Sequence, residues 1–390
     1  MKVNIALFFL LFFCSSNLFS IDIRRSFIPS DMVVTEDGHV LLYGTERESP
    51  TESKKLALYK LDSIFNIDWH KNYGGVLQDE AAKIKIARNG DILLAATIWD
   101  GGSPRESMSI IRCSPEGEVK KQAQYGGYHA ELALGICETS WNNLIICGFS
   151  KSEEKNGNCY VVSANADTKK QWEQHWGSKW VDYAFDITQS HDDNLLIYGS
   201  QGGFHLSTRE DFHSHDADLL LIKCDKLGNK IWQKTYGEKG HDQAVKILKD
   251  HSDGYYLLGS TQSYGEGSFD ILLMHINDSG EKSWHNTFGS NKLDQAADFM
   301  LHDKSLYLLG ITTNKEKVRQ TYWVKTDLDG QRLFENSTSS TIHEKAIAID
   351  MLPNGNIITC SYSISSNNKT TIILRRFNQK GELLKKITLN

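Results

Sequence analysis

Acidic residues recur through this chain at a nearly constant spacing, each two positions before an alanine. They are Asp79, Glu131, Asp182, Asp242, Asp294 and Glu344. Carboxylate oxygens are the ligands that hard cations prefer, so these residues could form a ring that holds Ca²⁺, if their strands line one channel. Alternatively, each carboxylate could accept hydrogen bonds from backbone amides within its own part of the fold. The sequence leaves both interpretations open, and Ca²⁺ is the cofactor that such a ring would hold.

A second polar cluster lies between Gly202 and Asp216, where the spacing of the acidic residues is interrupted. The candidate partner-binding residues are His205, Arg209, Asp211, Phe212, His213, His215 and Asp216. His213 and His215 could also be the core of a metal site, but their spacing matches no standard zinc motif. Extra loop residues in a regular chain often lie on a binding face. We therefore predict contact with a partner at this insertion.

Motifs of the common catalytic classes are absent from the sequence. The chain contains no Gly-x-Ser-x-Gly, no His-Glu-x-x-His and no phosphate-binding glycine loop. Every repeat offers paired carboxylates, so these single out no catalytic residue.

The elements that must position these residues are seven copies of one unit. A small residue closes an apolar run at Gly44, Ala96, Gly148, Gly199, Gly259, Gly310 and Ser361, at intervals of 52, 52, 51, 60, 51 and 51. An independent marker lies four residues before an aromatic-glycine pair, at Trp69, Lys121, Trp172, Trp232 and Trp284, and continues as Phe334 and Lys385 where that pair is lost. Such self-similarity predicts a repeat architecture.

One unit reads as four short antiparallel strands. In the fifth unit, from His241 to Gly289, three turn-separated apolar segments precede a largely polar segment that contains Trp284 and Phe288. Seven such units predict an all-β fold, a seven-bladed β-propeller with four antiparallel strands per blade. An open solenoid would need polar terminal repeats, which this chain lacks. We expect the ring to close by packing of blades, with no full strand exchanged between the termini.

The best-preserved segments resemble a known class of repeat. Trp232–Gly237, Asp253–Gly259 and Asp270–Leu273 are similar to secreted bacterial propeller repeats of the "delta sixty" type and, more distantly, to quinoprotein-like repeats. The resemblance extends from about Asp31 to the end of the chain. It implies the propeller fold and an extracytoplasmic setting, and it implies no activity.

Composition and the N-terminus set the class of protein. The chain has 390 residues and a net charge of −6 without a basic run, which argues against nucleic acid as a partner. Residues 1–20 combine Lys2 with a short apolar run and predict a signal peptide, leaving one propeller domain over residues 21–390. Lipidation at Cys14 is the alternative N-terminal processing. No segment is long enough to be a transmembrane helix.

Cysteine and tryptophan offer two further sites. Cys137 and Cys147 flank a turn near Asn142 and could form a disulfide if the hairpin is regular, although buried cysteines mostly act as small apolar residues. The tryptophans in the repeat register are expected to anchor the outer strand on the next blade. Trp99, Trp176 and Trp180 are the candidates for contact with a sugar.

From these patterns we predict a non-catalytic, monomeric binding or scaffold module for a protein or cell-envelope partner. It would be periplasmic, secreted or lipid-anchored. One alternative is an enzyme at the channel mouth, either a quinone-dependent dehydrogenase or a hydrolase or lyase. That alternative requires charged residues from several blades, unmatched in their sibling repeats, to converge at the channel. A carbohydrate-binding protein, with exposed aromatic residues on one rim, is the other alternative.

Overall fold

The chain folds into seven four-stranded antiparallel sheets, as predicted. A computed structural model describes residues 26–47, 52–74, 78–99, 101, 106–127, 130–151, 157–202, 217–365 and 369–389. These residues form 28 strands and contain no helix. Each sheet consists of four consecutive strands, so the structure is a seven-bladed β-propeller.

The strands are numbered in chain order, four to a blade. Blades 1 and 2 contain β1 (Ser26–Val34), β2 (Val40–Arg47), β3 (Lys55–Leu61), β4 (Ile67–Tyr73), β5 (Glu80–Ile86), β6 (Ile92–Trp99), β7 (Glu106–Cys113) and β8 (Val119–Tyr125). Blades 3 and 4 contain β9 (Glu131–Glu138), β10 (Leu144–Ser150), β11 (Asn158–Ala164), β12 (Lys170–Trp176), β13 (Asp182–Gln189), β14 (Leu195–Gln201), β15 (Asp218–Cys224) and β16 (Lys230–Tyr236). Blades 5 and 6 contain β17 (Asp242–Lys249), β18 (Gly254–Thr261), β19 (Asp270–Asn277), β20 (Lys282–Phe288), β21 (Gln295–His302), β22 (Ser305–Thr313), β23 (Arg319–Thr326) and β24 (Arg332–Ser337). Blade 7 contains β25 (Lys345–Met351), β26 (Ile357–Ile364), β27 (Thr370–Phe377) and β28 (Leu383–Leu389).

Burial follows the order of strands within a blade. In blade 5, every residue of β18 is buried and β19 is nearly as enclosed, whereas β20 is mostly half-buried or exposed. Strands covered on both faces are apolar at both parities, and edge strands are polar. The apolar core therefore lies between blades, where the faces of the middle strands meet.

Among residues 26–389, as far as the structure describes them, the ring closes without exchange of a strand, as predicted. The inner strand β1 of blade 1 packs against β25 of blade 7. Their joint holds the largest apolar cluster of the described residues, with Phe27, Leu42, Cys360 and Leu374 among its members. The Asp350 carboxylate also accepts a hydrogen bond from the Val34 amide across this joint at 2.7 Å. Noncovalent packing is what holds the described termini together.

The repeat-register aromatics anchor neighbouring blades, as expected. Trp172 in blade 3 lies over Gly228 in blade 4 and donates an indole hydrogen bond to the Lys226 carbonyl at 2.8 Å. Trp284 lies in the same way over Gly330 of the following blade. These side chains therefore serve packing between blades.

The predicted opposition of Cys137 and Cys147 does not occur. A turn from Thr139 to Asn143, with Asn142 at a φ of 62°, sets the register of this hairpin. As a result Cys137 faces Ile145, while Cys147 faces Gly135. All six cysteines in the described residues are free thiols.

Candidate functional site

The inner strand of every blade contains a β-bulge at the same place. In blade 5 the pairing with β18 passes from Ala244 directly to Lys246, so that Val245 is the extra residue. The same register shift occurs in the other six blades. A bulge on an edge strand bends the chain and re-aims a side chain. Here the re-aimed side chain is the one that follows the extra residue.

The residue that follows the bulge is charged in five blades. Around the ring this position holds Asp31, Lys83, Gly135, Asp186, Lys246, Asp298 and Ala348. Lys83 of blade 2 interacts electrostatically with Asp186, Lys246 and Asp298 of blades 4, 5 and 6. Groups on opposite sides of a ring can interact in this way only if they point to its axis. We refer to Asp31, Lys83, Asp186, Lys246 and Asp298 as the channel cluster.

The aspartates of the channel cluster also join neighbouring blades. Asp31 accepts a hydrogen bond from the Ile84 amide of blade 2 at 3.1 Å, and Asp186 accepts one from the Ile247 amide of blade 5 at 3.1 Å. Asp298 accepts one from the Ile349 amide of blade 7 at 2.9 Å. Inner-strand amides would otherwise be unpaired at the sheet edge. These three carboxylates therefore have a structural role.

The two lysines of the channel cluster differ in how firmly they are held. The Lys246 ammonium donates to Asp298 Oδ1 at 2.6 Å, whereas the Lys83 ammonium lies 3.9 Å from Asp31 Oδ1. Burial alone would lower the pKa of Lys83, but Asp31 and Asp298 raise it above its ordinary value. Burial would also lower the pKa of Lys246, and the nearby aspartates, chiefly Asp298, raise it. Both side chains are therefore cationic at neutral pH.

The chemistry of the cluster is electrostatic. Burial would raise the pKa of Asp298, but Lys246 and Lys83 hold it below its ordinary value. General acid-base catalysis requires a group that exchanges protons near pH 7. The shifted pKa values of Asp298, Lys246 and Lys83 all lie away from that range. Instead, the cluster offers fixed charges of both signs on largely buried side chains, which suits binding of a polar ligand.

The six carboxylates singled out in the sequence lie at the joints between blades, and all are buried. The Asp242 amide donates to the Ala217 carbonyl of the preceding blade at 2.7 Å, while the Asp242 carboxylate accepts from Thr261 and Ser263 of its own blade. Asp294 is placed in the same way, with its amide on the Phe269 carbonyl. Within the described ranges, no three His, Cys, Asp or Glu side chains are grouped to hold a metal ion. Calcium binding by the six carboxylates stays a prediction.

The glycine of each aromatic-glycine pair makes room for the next carboxylate. At Gly289, whose φ is 142°, an added Cβ would lie 2.6 Å from the Asp294 carboxyl carbon. At Gly74 it would lie 2.1 Å from Asp79 Oδ2. The acidic residue and the glycine about five positions before it are therefore one structural device.

Two joints depart from this device, those of Glu344 and Phe27, while the joint of Glu131 keeps the glycine but has a shifted carboxyl pKa. Burial raises the pKa of Glu131 to about 7. Burial would raise the pKa of Glu344 too, but Arg375, 2.5 Å away, lowers it. In blade 1, Phe27 takes the place of the acid, and its ring packs 4.9 Å from that of Tyr59. An apolar side chain thus fills the position that lacks a carboxylate.

The insertion lies outside the described residues, and so do its seven candidate side chains, from His205 to Asp216. Contact of this segment with a partner stays a prediction. The signal peptide and Cys14 also lie outside the described residues. Where the structure is described, no helix is long and apolar enough to cross a membrane.

The tryptophans do not form a sugar-binding rim. Trp176 is buried in the core between blades 3 and 4, and Trp99 and Trp180 are half-buried. Large exposed apolar side chains in the described residues are all aliphatic, such as Leu227 and Leu333. Stacking on sugars needs an accessible indole face, so the carbohydrate alternative gains no support.

The channel cluster was missed in the sequence, although a signal was present. Each of its members lies four residues after the acidic position of the repeat, as Lys83 follows Asp79 and Lys246 follows Asp242. The recurrence of a charged residue at this position in five of the seven repeats was the available sign. The bulge hides its direction, because strict alternation assigns that residue to the wrong face.

Comparison with known proteins shows the fold. No protein-family model matches the chain, and no curated protein matches it in sequence. A periplasmic gluconolactonase from Pseudomonas aeruginosa, PpgL, is similar in structure with a TM-score of 0.59 and 12% identity, over 90% of this chain and 95% of that one. The Pan2 WD40 domain from Neurospora crassa has a TM-score of 0.55 and 7% identity, over 94% and 99%. The propeller domain of the Trilobed protease from Pyrococcus furiosus, which has an open velcro topology, has a TM-score of 0.51 and 11% identity, over 93% and 95%.

These similarities correct one prediction. A non-catalytic binding or scaffold module is wrong as a conclusion from this architecture, because an enzyme shares the fold over nearly the whole chain. Identities of this size show the fold alone. The structures similar to this chain thus include bacterial periplasmic and enzymatic propellers, and function has to be argued from the channel itself.

Proposed function

We propose that this protein binds a small, negatively charged organic molecule in its central channel, at the channel cluster. The observation that carries the proposal is that five blades each contribute one charged side chain to this cluster, with Lys246 2.6 Å from Asp298 and Lys83 3.9 Å from Asp31. The protein is then an extracytoplasmic monomer of the secreted bacterial repeat type, with a mature chain that begins at Ile21. Its ligand would reach the channel from the surrounding solvent.

The lysines support a ligand because the fold does not need them. Gly135 and Ala348 occupy the equivalent position in blades 3 and 7, so the ring tolerates a minimal side chain there. Burying an ammonium group costs desolvation energy, and an ion pair recovers that cost only with good geometry. Lys83, 3.9 Å from its nearest carboxylate oxygen, lacks such geometry. A ligand anion would supply it.

The charges also indicate the class of ligand. Lys83 can pair with a carboxylate, while the oxygens of Asp31 and Asp186 have lone pairs left to accept hydroxyl hydrogens. A small hydroxy acid, such as a sugar acid, presents both groups. D-Gluconate and its lactone are therefore suitable probes, and the similarity to a gluconolactonase assigns neither of them as the natural ligand.

Calorimetric titration of residues 21–390 with D-gluconate, galacturonate and glutamate tests the proposal, together with an assay of lactone hydrolysis. We expect Lys83→Met to weaken binding of the recognised acid at least tenfold. Lys304→Met, on an exposed turn of blade 6, is the control and should bind as the wild type does. The proposal would be wrong if none of the three acids bound and Lys83→Met were more stable than the wild type. The charges of the cluster would then serve only to neutralise one another.

A further inference from the structure

A second candidate site lies away from the axis, between blades 6 and 7. A cavity of about 240 Å³ opens there, with Trp323 and Phe377 on one wall and Ser337, Arg375 and Lys386 around it. Drug-sized ligands occupy cavities of roughly 300 Å³ or more. This cavity is therefore suited to a smaller molecule.

The cavity exists because blade 6 lacks the aromatic-glycine pair. In blades 1 to 5 that aromatic is present, and Tyr73 and Tyr236 donate hydrogen bonds to the Gly117 and Gly280 carbonyls of the next blade. Blade 7 has the apolar Leu389 in its place. Blade 6 has Thr338 and Ser339 at these positions. Two hydroxyl side chains thus replace a ring at this one joint.

The cavity is cationic. Arg375 is 2% exposed and lies on β27. The equivalent position in the strand pairing of blades 5 and 6 holds the apolar residues Met274 and Val324. Its guanidinium pairs with Glu344 at 2.5 Å and donates to Ser361 at 2.9 Å. Lys386, opposite Arg375 in the strand pairing, forms no ion pair with a described residue. Two cations thus face one buried carboxylate.

A buried donor also lacks an acceptor. The Trp323 side chain is 2% exposed, and its Nε1 has no hydrogen-bond partner among the described residues. An unsatisfied buried donor destabilises the folded state. Lys386 is an exposed residue of β28, and its partial desolvation, together with the nearby Arg375, lowers the pKa of its ammonium group. An anion with acceptor oxygens would satisfy the indole and stabilise the ammonium.

We propose that this cavity binds a small aromatic carboxylate. The carboxylate lies against Lys386 and the guanidinium donors of Arg375 that remain after its bonds to Glu344 and Ser361. The ring packs against Trp323 and Phe377, whose own ring centroids are 5.6 Å apart. Trp323 Nε1 and the serine hydroxyls donate to its oxygens. The site is independent of the channel cluster.

Binding of benzoate to the mature chain tests the proposal, with benzamide as the neutral control of nearly equal shape. Calorimetry and thermal melts should show benzoate binding and raising the melting temperature, with benzamide at least tenfold weaker. Lys386→Met should weaken benzoate binding at least tenfold. Lys385→Met should not, because Lys385 donates to the Ile64 carbonyl on the exposed surface of blade 1.

A filled cavity provides the decisive variant. Thr338→Tyr with Ser339→Gly restores the aromatic-glycine pair, and it should abolish benzoate binding without lowering the melting temperature. Benzoate binding retained in a folded form of this variant would overturn the proposal. So would equal affinity for benzoate and benzamide, or no benzoate binding to the wild type at millimolar concentration. Lys83→Met should leave benzoate binding unchanged, which separates this site from the channel.

Discussion

Glu131 shows how one buried carboxyl group makes the ring sensitive to pH. Its pKa rises from an ordinary 4.5 to about 7 because burial disfavours the charged form. The folded state therefore binds more protons than the unfolded state between these two values. The contribution of Glu131 to the free energy of unfolding is therefore largest at low pH and falls as the pH rises to about 7.

Replacing Glu131 by Gln removes that dependence. We expect the variant to resemble the wild type at pH 5 and to be more stable at pH 8, by at most about 3 kcal/mol. Urea unfolding at both pH values measures the difference. An unchanged slope of stability against pH would show that Glu131 titrates normally.

The aromatic-glycine device gives a second prediction for single residues. Gly289→Ala should cost about 2 to 4 kcal/mol, because the new methyl group meets the Asp294 carboxyl group and the φ of 142° is strained for alanine. Gly90→Ala is the matched control: its φ is 83°, but the nearest atom to the new methyl group is 3.9 Å away. It should cost only about 1 kcal/mol. Chemical denaturation of both variants tests this, and equal losses would mean that the carboxylate moves aside freely.

At the scale of the elements, the bulged inner strand both joins blades and aims charges. Asp298→Asn keeps an oxygen for the Ile349 amide but leaves Lys246 without its partner, so we expect a loss of about 3 kcal/mol. The double variant Lys246→Met with Asp298→Asn should recover most of that loss. Asp186→Asn is the control, because Asp186 forms no ion pair with a described residue. A double variant as unstable as Asp298→Asn would show that the hydrogen bond dominates.

Strand order and burial could be predicted from the sequence because they depend on repeated short-range patterns. The fifth unit shows this, with its buried β18 and polar β20. The direction of Lys83 and Lys246 could not be predicted, since one extra residue per inner strand reverses the alternation. The register of Cys137 and Cys147 was mispredicted for a similar reason, because the position of a turn decides it.

At the scale of the whole molecule, every apolar cluster described is shared by neighbouring blades, so no blade has a core of its own. Deleting the fifth unit, from His241 to Gly289, should leave a ring that cannot close without strain. We expect loss of the cooperative thermal transition or association into oligomers, as measured by calorimetry and light scattering. A folded monomer of six units that melts near the wild-type temperature would contradict the closed ring.

The cavity between blades 6 and 7 adds a lesson about prediction at this scale. The loss of the aromatic-glycine pair after Phe334 is visible in the sequence, but only the packing of the ring reveals the space it leaves. Arg375 was likewise visible as the first of two arginines after an apolar run. Its burial beside Glu344 depends on contacts between strands about thirty residues apart.

Since every sheet is made from one uninterrupted stretch of chain, the boundaries of the blades coincide with the boundaries of the repeats. Unequal recombination between two copies of the gene segment for a repeat would therefore add or remove a complete blade, never a fragment of two. In propellers closed by strand exchange, one sheet contains strands from both ends of the chain, and recombination there would also have to preserve that shared sheet. The genetic unit and the structural unit are the same here, so a single recombination event can remove a whole repeat, and closure of the ring then decides whether the product folds.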